Sequence, residues 1–134
     1  MRGSQNIACP DAIKRVINLL KDAINNENVI LKANIQKNKE FIRELGWRPT
    51  HVYQELKELE IKNYAKGPEN NQGMSGTKKG QIWIFGRKIE NYNVYIKLHL
   101  VPLESREYKF ICISFHEEEE GAQRLSFPHR EYIE

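Results

Sequence analysis

Polar side chains occupy alternate positions of two otherwise apolar segments. Tyr95, Lys97 and His99 alternate with aliphatic residues in one segment, and His116 lies near the end of another. RNA cleavage needs a base for the ribose 2′-hydroxyl proton, cations for the phosphorane and an acid for the leaving 5′-oxygen. Histidine, tyrosine and lysine can supply these roles without a metal. These residue types therefore predict metal-independent phosphodiester chemistry that needs no cofactor.

Two more cations are placed to reach the same side chains. Lys66 precedes a glycine- and asparagine-rich stretch, and Arg87 lies in a third apolar segment. We expect Lys97, Arg87 and His99 to bind phosphate. The alternatives are an ordinary solvated sheet face, a surface role for His99, and a zinc site from His99, Cys112 and His116, whose spacing matches no recognised ligand pair.

Helical periodicity dominates the first half of the chain. Apolar residues at helical spacing predict an amphipathic helix over residues 11–25, followed by a brief strand at residues 29–31. A second helix is predicted from Asn34 as N-cap to a stop at Gly46, and a third after Pro49. The glycine-rich residues 67–76 predict a loop.

Three strands are predicted after that loop, at residues 81–89, 93–101 and 108–116. Helices followed by an antiparallel meander predict an α+β fold, with the N-terminal helices on one face of an antiparallel sheet. Trp83 and Phe85 are expected in the core. Alternation places Ile111, Ile113 and Phe115 toward the helices, and the intervening side chains, including Cys112, Ser114 and His116, opposite. Tyr95 should then lie across from Ser114 or His116.

Composition indicates one domain over residues 1–134, because the chain has 40% hydrophobic and 29% charged residues. Residues 1–10 are expected to be disordered or tag-like, since Met1-Arg2-Gly3-Ser4 resembles an expression leader. Two unpaired cysteines, no signal pattern and no long apolar run predict a cytoplasmic protein without a membrane partner.

Charge is unevenly distributed along the chain. Residues 1–116 carry 19 basic and 12 acidic side chains, a formal charge of +7, and residues 117–134 carry 2 basic and 6 acidic, a formal charge of −4. The basic body predicts an anionic partner. The acidic tail, residues 117–134, is expected either to be solvated or to screen the same surface.

Four sequence blocks together resemble the MqsR (motility quorum-sensing regulator) family of type II toxins. They are NYAKGPE at 63–69, QIWIFG at 81–86, VYIKL at 94–98 and CISFHE at 112–117. The blocks occur in the family's order and at similar spacing, over roughly residues 11–117. The ending around residues 127–129 also looks like a degraded form of a tyrosine- and proline-containing ending in some relatives.

The resemblance implies a RelE-like fold and an mRNA interferase that cuts single-stranded RNA without a metal. It also implies a cognate antitoxin that carries a helix-turn-helix. By position, Lys66 matches the family's catalytic lysine, Tyr95 its active-site tyrosine, and His116 the basic position after Ser-Phe. We therefore expect His116, Tyr95 and Lys66 to be catalytic.

Two positions depart from the family pattern. Ile84 stands where some members have a functional glutamine, and Ala65 stands where members often have a second tyrosine. Both changes leave open an alternative function, a catalytically inactive binding module of the same fold for a protein or nucleic-acid partner. A DNA-binding regulator is less favoured, because no helix-turn-helix with a basic recognition helix is visible.

Overall fold

A computed structural model describes residues 7–70, 80–105, 107–119, 121 and 124–134 of the chain. Within these ranges the chain forms three α-helices, a short 3₁₀ helix and five strands. In chain order they are α1 (Pro10–Asn25), β1 (Val29–Leu31), α2 (Gln36–Leu45), α3 (Pro49–Lys57), the 3₁₀ helix (Ile61–Asn63), β2 (Tyr64–Asn70), β3 (Gln81–Ile89), β4 (Tyr92–Pro102) and β5 (Tyr108–Glu117).

Each helix presents one apolar side to the sheet. In α1 the buried residues include Ile13, Val16, Ile17 and Leu20, which recur at the spacing of one helix face. α2 ends at Gly46 in the left-handed conformation, as predicted. Its N-cap is Ile35 with no side-chain cap bond, so the prediction of Asn34 as the cap is wrong.

The five strands form one sheet in the order β1-β5-β4-β3-β2. The three predicted strands are confirmed, and the α+β class is as expected. The sheet is mixed rather than antiparallel, because β1 pairs in parallel with β5 while the other three neighbour pairs are antiparallel. β1 has only three residues and none of them is fully buried, so the sequence pattern could not predict that it pairs in parallel.

Residues 67–70, which begin the predicted loop, belong instead to the edge strand β2. Its pairing with β3 has register shifts around Lys66 and before Glu69, which accommodate Gly67 and Pro68. Proline lacks a donor N–H and is tolerated on an edge strand with bulges. The prediction of a loop is therefore wrong for residues 67–70, and residues 71–76 lie outside the described residues.

The main core lies between the helices and one face of the sheet. Trp83 and Phe85 belong to it, as predicted, together with side chains from β4, β5 and all three helices. A smaller apolar cluster of Ile82, Ile84 and Tyr95 occupies the other face of the sheet. We call this second face the outer face. None of the helices in the described part of the chain is long and apolar enough to cross a membrane.

Side-chain parity in β5 changes at a bulge. Cys112 pairs with Leu98 but Ser114 pairs with Lys97, so Ile113 is an extra residue in β5. Phe115 lies on the helix side of the sheet and His116 on the outer face, as predicted. The prediction is wrong on the other side of the bulge: Cys112 lies in the helix-side core, and Ile111 and Ile113 lie on the outer face.

The C-terminal segment, residues 124–134, packs back on the body of the protein. Leu125 contacts the outer-face cluster, and the His129 ring lies 5.9 Å from that of Tyr64. His129 Nε2 is 2.8 Å from Ala8 O, and the Tyr64 hydroxyl accepts a hydrogen bond from Ala8 N. Residue 8 is therefore held against the tail, whereas residues 1–6 lie outside the described part of the chain.

Candidate active site

Three rows of cross-strand neighbours cross the outer face, and strand register fixes their members. One row contains Gly86, Tyr95 and His116, and the next contains Lys66, Ile84, Lys97 and Ser114. A third contains Glu69, Ile82, His99 and Ile111. Neighbours in a row share a face because paired residues of adjacent strands point the same way. The register therefore brings together five of the six predicted site residues.

Tyr95 and His116 are directly opposite each other on β4 and β5, which is one of the two pairings predicted. Their rings stack, with centroids 5.6 Å apart and planes inclined by 19°. The Tyr95 residue is 7% exposed and His116 is 6% exposed, so little of either side chain is open to a substrate.

The hydrogen bond made by His116 defines which ring nitrogen can act as a base. Nδ1 lies 2.9 Å from the carbonyl oxygen of Glu117, and a carbonyl can only accept. Nδ1 therefore carries the proton in the neutral ring, which leaves Nε2 with the lone pair. A neutral His116 could accept a proton at Nε2 and, once charged, donate it again.

The Tyr95 phenol is held in its protonated form. Burial raises its pKa above the ordinary value of 10.0, and the negative charge of Glu69 raises it further. At neutral pH the hydroxyl is consequently a hydrogen-bond donor. It suits an acid or a phosphate contact, rather than a base.

Two lysines flank this pair in the neighbouring row. Lys97 is two residues from Tyr95 along β4, which is about 7 Å, and its side chain is half-buried. Lys66 is on the same row two strands away, and its side chain is 43% exposed. Lys66 Nζ lies 3.3 Å from Glu69 Oε2, so a phosphate would compete with a solvated ion pair of modest strength.

Arg87 does not reach the outer face. It shares the parity of Trp83 and Phe85 in β3, so it points toward the helices, where its Nε donates to Glu55 of α3. Its Nη1 also donates to the Glu58 carbonyl oxygen, 3.1 Å away. The prediction that Arg87 joins Tyr95 and Lys97 is therefore wrong.

His99 lies on the outer face, as its parity predicted, but it is only 5% exposed. The alternative of a surface histidine is therefore wrong, whereas phosphate binding by His99, which is about as buried as Tyr95 and His116, stays a prediction. The zinc alternative also fails, because Cys112 lies on the helix side of the sheet. Among the described residues, no group of three metal-ligating side chains is close enough to hold an ion.

A groove on the other side of His116 is acidic. It has a volume of about 260 Å³ and lies between α2 and the end of β5. Besides His116, Phe41 and Lys37, its lining consists of Glu40, Glu44, Glu117, Glu118 and Glu119. Lys37 Nζ pairs with Glu119 Oε1 at 2.8 Å, and this hydrogen bond lowers the pKa of Glu119. His116 thus separates a lysine-bearing face from a carboxylate-lined groove.

The C-terminal segment was missed as part of the site. Leu125 packs on the Tyr95 cluster, and its backbone N donates to Glu118 Oε1 at 2.9 Å. A signal was present in the sequence, since the large residues Leu125, Phe127 and His129 alternate with Ser126 and Pro128. In the structure the three large residues are half-buried and the two between them are exposed, and the chain turns at residues 128–131.

Comparisons with known proteins identify no relative. No family model matches the chain, and neither a curated protein nor a solved structure matches it.

Proposed function

We propose that this protein is an endoribonuclease of the type II toxin kind, which cleaves single-stranded mRNA without a metal. The supporting observation is the stacked pair of Tyr95 and His116, with Lys66 and Lys97 in the next row of the same face. The resemblance to the MqsR family led to the same residues. In the proposed setting the enzyme acts in the cytoplasm, and a cognate antitoxin with a helix-turn-helix inhibits it.

The site residues divide the reaction between them. His116 Nε2 removes the 2′-hydroxyl proton, and the resulting oxyanion attacks the adjacent phosphorus. Lys66 and Lys97 stabilise the charge on the phosphorane. The Tyr95 phenol donates a hydrogen bond to the phosphate, and a proton returns to the leaving 5′-oxygen from charged His116. The products are a 2′,3′-cyclic phosphate and a 5′-hydroxyl.

Incubation with a defined single-stranded RNA in EDTA, followed by mapping of the product ends, tests this proposal. We expect a 2′,3′-cyclic phosphate from the parent protein and a loss of roughly a hundredfold or more for His116→Ala. Tyr95→Phe should lose less, because it removes one hydroxyl and keeps the ring. Exposed positions supply the controls His51→Gln and Tyr132→Phe, and thermal unfolding verifies that each variant is folded.

If His116→Ala and Tyr95→Phe cleave as well as their controls, the assigned roles are wrong. If cleavage stops in EDTA and returns with a divalent cation, the metal-independent mechanism is wrong.

A non-catalytic binding module is the second candidate. The observation that favours it is the burial of both stacked rings, at 7% and 6% exposure. Ile84 belongs to the apolar cluster of the same face, and Ala65 packs against that cluster. Expression with and without the neighbouring gene product separates the two candidates: a toxin arrests growth alone and is tolerated with its partner, whereas a binding module is tolerated in both cases.

A further inference from the structure

A cleft rich in positive charge lies at the end of the β3–β4 hairpin. Its volume is about 410 Å³, and its lining comes from the 3₁₀ helix, the hairpin and the C-terminal segment. Five lining residues are cationic, namely Lys62, Arg87, Lys88, Arg124 and Arg130. Glu118 is the carboxylate among the described lining residues. Basic residues from three separate parts of the chain therefore meet in one concave surface.

Most of this charge is not neutralised locally. Lys88, Arg124 and Arg130 are exposed, and no carboxylate of the described residues lies within 4.0 Å of their charged nitrogens. Lys62 has a loose contact of 3.5 Å with Glu60, and both side chains are about half exposed. Arg87 has a close carboxylate partner, Glu55. Concentrated, unpaired cations in a concave surface attract anions.

The cleft adjoins the stacked pair through Gly86 and Leu125. Gly86 lines the cleft and is the cross-strand neighbour of Tyr95, and adjacent strands are about 4.8 Å apart. A Cβ on Gly86 would lie 2.6 Å from Leu125 Cδ1, so the tail rests directly on this glycine. Leu125 touches the Tyr95 cluster and also lines the cleft. The cleft therefore begins about one strand spacing from Tyr95, at the glycine that Leu125 covers.

The charges at the two ends of the Tyr95 row differ in sign. The cleft at the β3 end carries five cations, whereas the groove at the β5 end carries five carboxylates and one lysine; one of those carboxylates, Glu118, also lines the cleft. A polyanion therefore meets attraction on one side of His116 and repulsion on the other.

We propose that this cleft binds the phosphates of single-stranded RNA that flank the reacting phosphate on the β3 side. This inference rests on the proposed nuclease function. Lys88, Arg124 and Arg130 contact successive backbone phosphates, and the bases point away from the cleft. Binding of this kind does not depend on base identity and weakens with salt.

A double variant, Lys88→Gln with Arg124→Gln, tests the cleft. The matched control is Arg15→Gln with Lys39→Gln, which removes the same charge from exposed positions of α1 and α2. Fluorescence anisotropy with a 2′-O-methyl RNA of about 12 nucleotides reports binding without cleavage. The slope of log affinity against log salt should fall in magnitude by about 1.4 in the cleft variant, since each single-strand contact contributes about 0.7.

Cleavage by the same proteins gives the second readout. The loss of kcat/KM in the cleft variant should grow with RNA length, reaching about tenfold on the 12-nucleotide RNA, mainly through KM. A trinucleotide should show a smaller loss. Equal salt slopes for cleft variant and control overturn the cleft inference, even if cleavage is normal. If the 2′-O-methyl RNA binds through the cleft but the parent protein cleaves no RNA, the nuclease proposal fails and the cleft stands.

Discussion

Asn38 holds the edge of β5 at the place where the strand bulges. Its residue is 0% exposed, and its Nδ2 donates to the carbonyl oxygens of Lys32 and Ile113, each at 2.9 Å. Its Oδ1 accepts from Phe115 N at 2.8 Å. β1 ends at Leu31, so this one side chain satisfies backbone groups that a longer β1 would otherwise pair. His116 follows Phe115 directly, and its position depends on this support.

Removal of the Asn38 side-chain amide should destabilise the fold. Asn38→Ala removes three hydrogen bonds and leaves the buried Phe115 N–H without its acceptor, so we expect the free energy of unfolding to fall by about 3 kcal/mol. Urea denaturation measures this change. Asn34→Ala is the control, because Asn34 is exposed and does not cap α2, and it should cost less than about 0.5 kcal/mol. Similar values for the two variants would contradict the role of Asn38.

Strand alternation was sufficient to put Tyr95 and His116 on one face of the sheet, but it could not place Cys112. The outer face has its own apolar cluster, so Ile111 and Ile113 could be buried on either side of the sheet. Alternation distinguishes faces only when one of them is polar. The bulge, which reverses parity at Ile113, leaves no mark in the polarity pattern. Burial on the helix side raises the pKa of Cys112 to about 12.

Among the elements, β2 and the C-terminal segment were the least predictable. β2 contains Gly67 and Pro68, which favour turns in a sequence and are tolerated here by the bulges of an edge strand. The C-terminal segment has no regular pairing partner, and its contacts join residues more than a hundred positions apart. The helices were predictable because their apolar residues repeat locally, whereas these two elements depend on distant contacts.

The C-terminal segment is anchored by Glu134. Its Oε1 accepts from Lys14 Nζ at 2.9 Å and its Oε2 from Ile61 N at 2.7 Å. Burial alone would raise the pKa of this carboxyl, but the hydrogen bonds and the charge of Lys14 outweigh it and hold the pKa below 4.5. The anchor therefore stabilises the fold fully above about pH 4.5 and weakens as the pH falls through the lowered pKa.

This pH dependence can be measured with Glu134→Gln. The variant should be less stable than the parent by about 1 kcal/mol or less near neutral pH, since the carboxylate is partly solvated. The difference should shrink as the pH falls below about 4.5, because the parent carboxyl then becomes neutral as well. Denaturation of both proteins across this range, with the exposed Glu131→Gln as control, gives the result. A difference that stays constant with pH would contradict the anchor.

For the molecule as a whole, the basic and acidic segments of the sequence do not correspond to the basic and acidic surfaces of the fold. The tail is acidic by composition, yet its two arginines join the cationic cleft while Glu117 and Glu119 line the groove at the other end, and Glu118 lines both. The division of charge is therefore between two sides of His116, both of which include tail residues. Counting charges along the sequence showed that they are unevenly distributed, but it did not show which surface of the molecule is basic and which is acidic.

The two cysteines report separately on the surface and on global unfolding. Cys9 is exposed and Cys112 is buried, so a thiol reagent should modify one thiol at once in the native protein. The second should react roughly a thousandfold or more slowly, because exposing Cys112 requires the main core to open. Denaturant should make both react rapidly, and Cys9→Ser should remove the fast phase. Two fast thiols in the native protein would show that the core of the structure is wrong.

The edges of the sheet determine how another chain could add to it. Along β5, β1 occupies the first part of the edge and Asn38 holds the backbone groups of Ile113 and Phe115 that follow. Along β2, Pro68 offers no N–H, and the Gly67 carbonyl already accepts from the Tyr64 hydroxyl. Unpaired edges are where proteins aggregate or capture an extra strand. An added strand would accordingly find few free backbone groups along the second half of β5 or at Gly67 and Pro68 of β2.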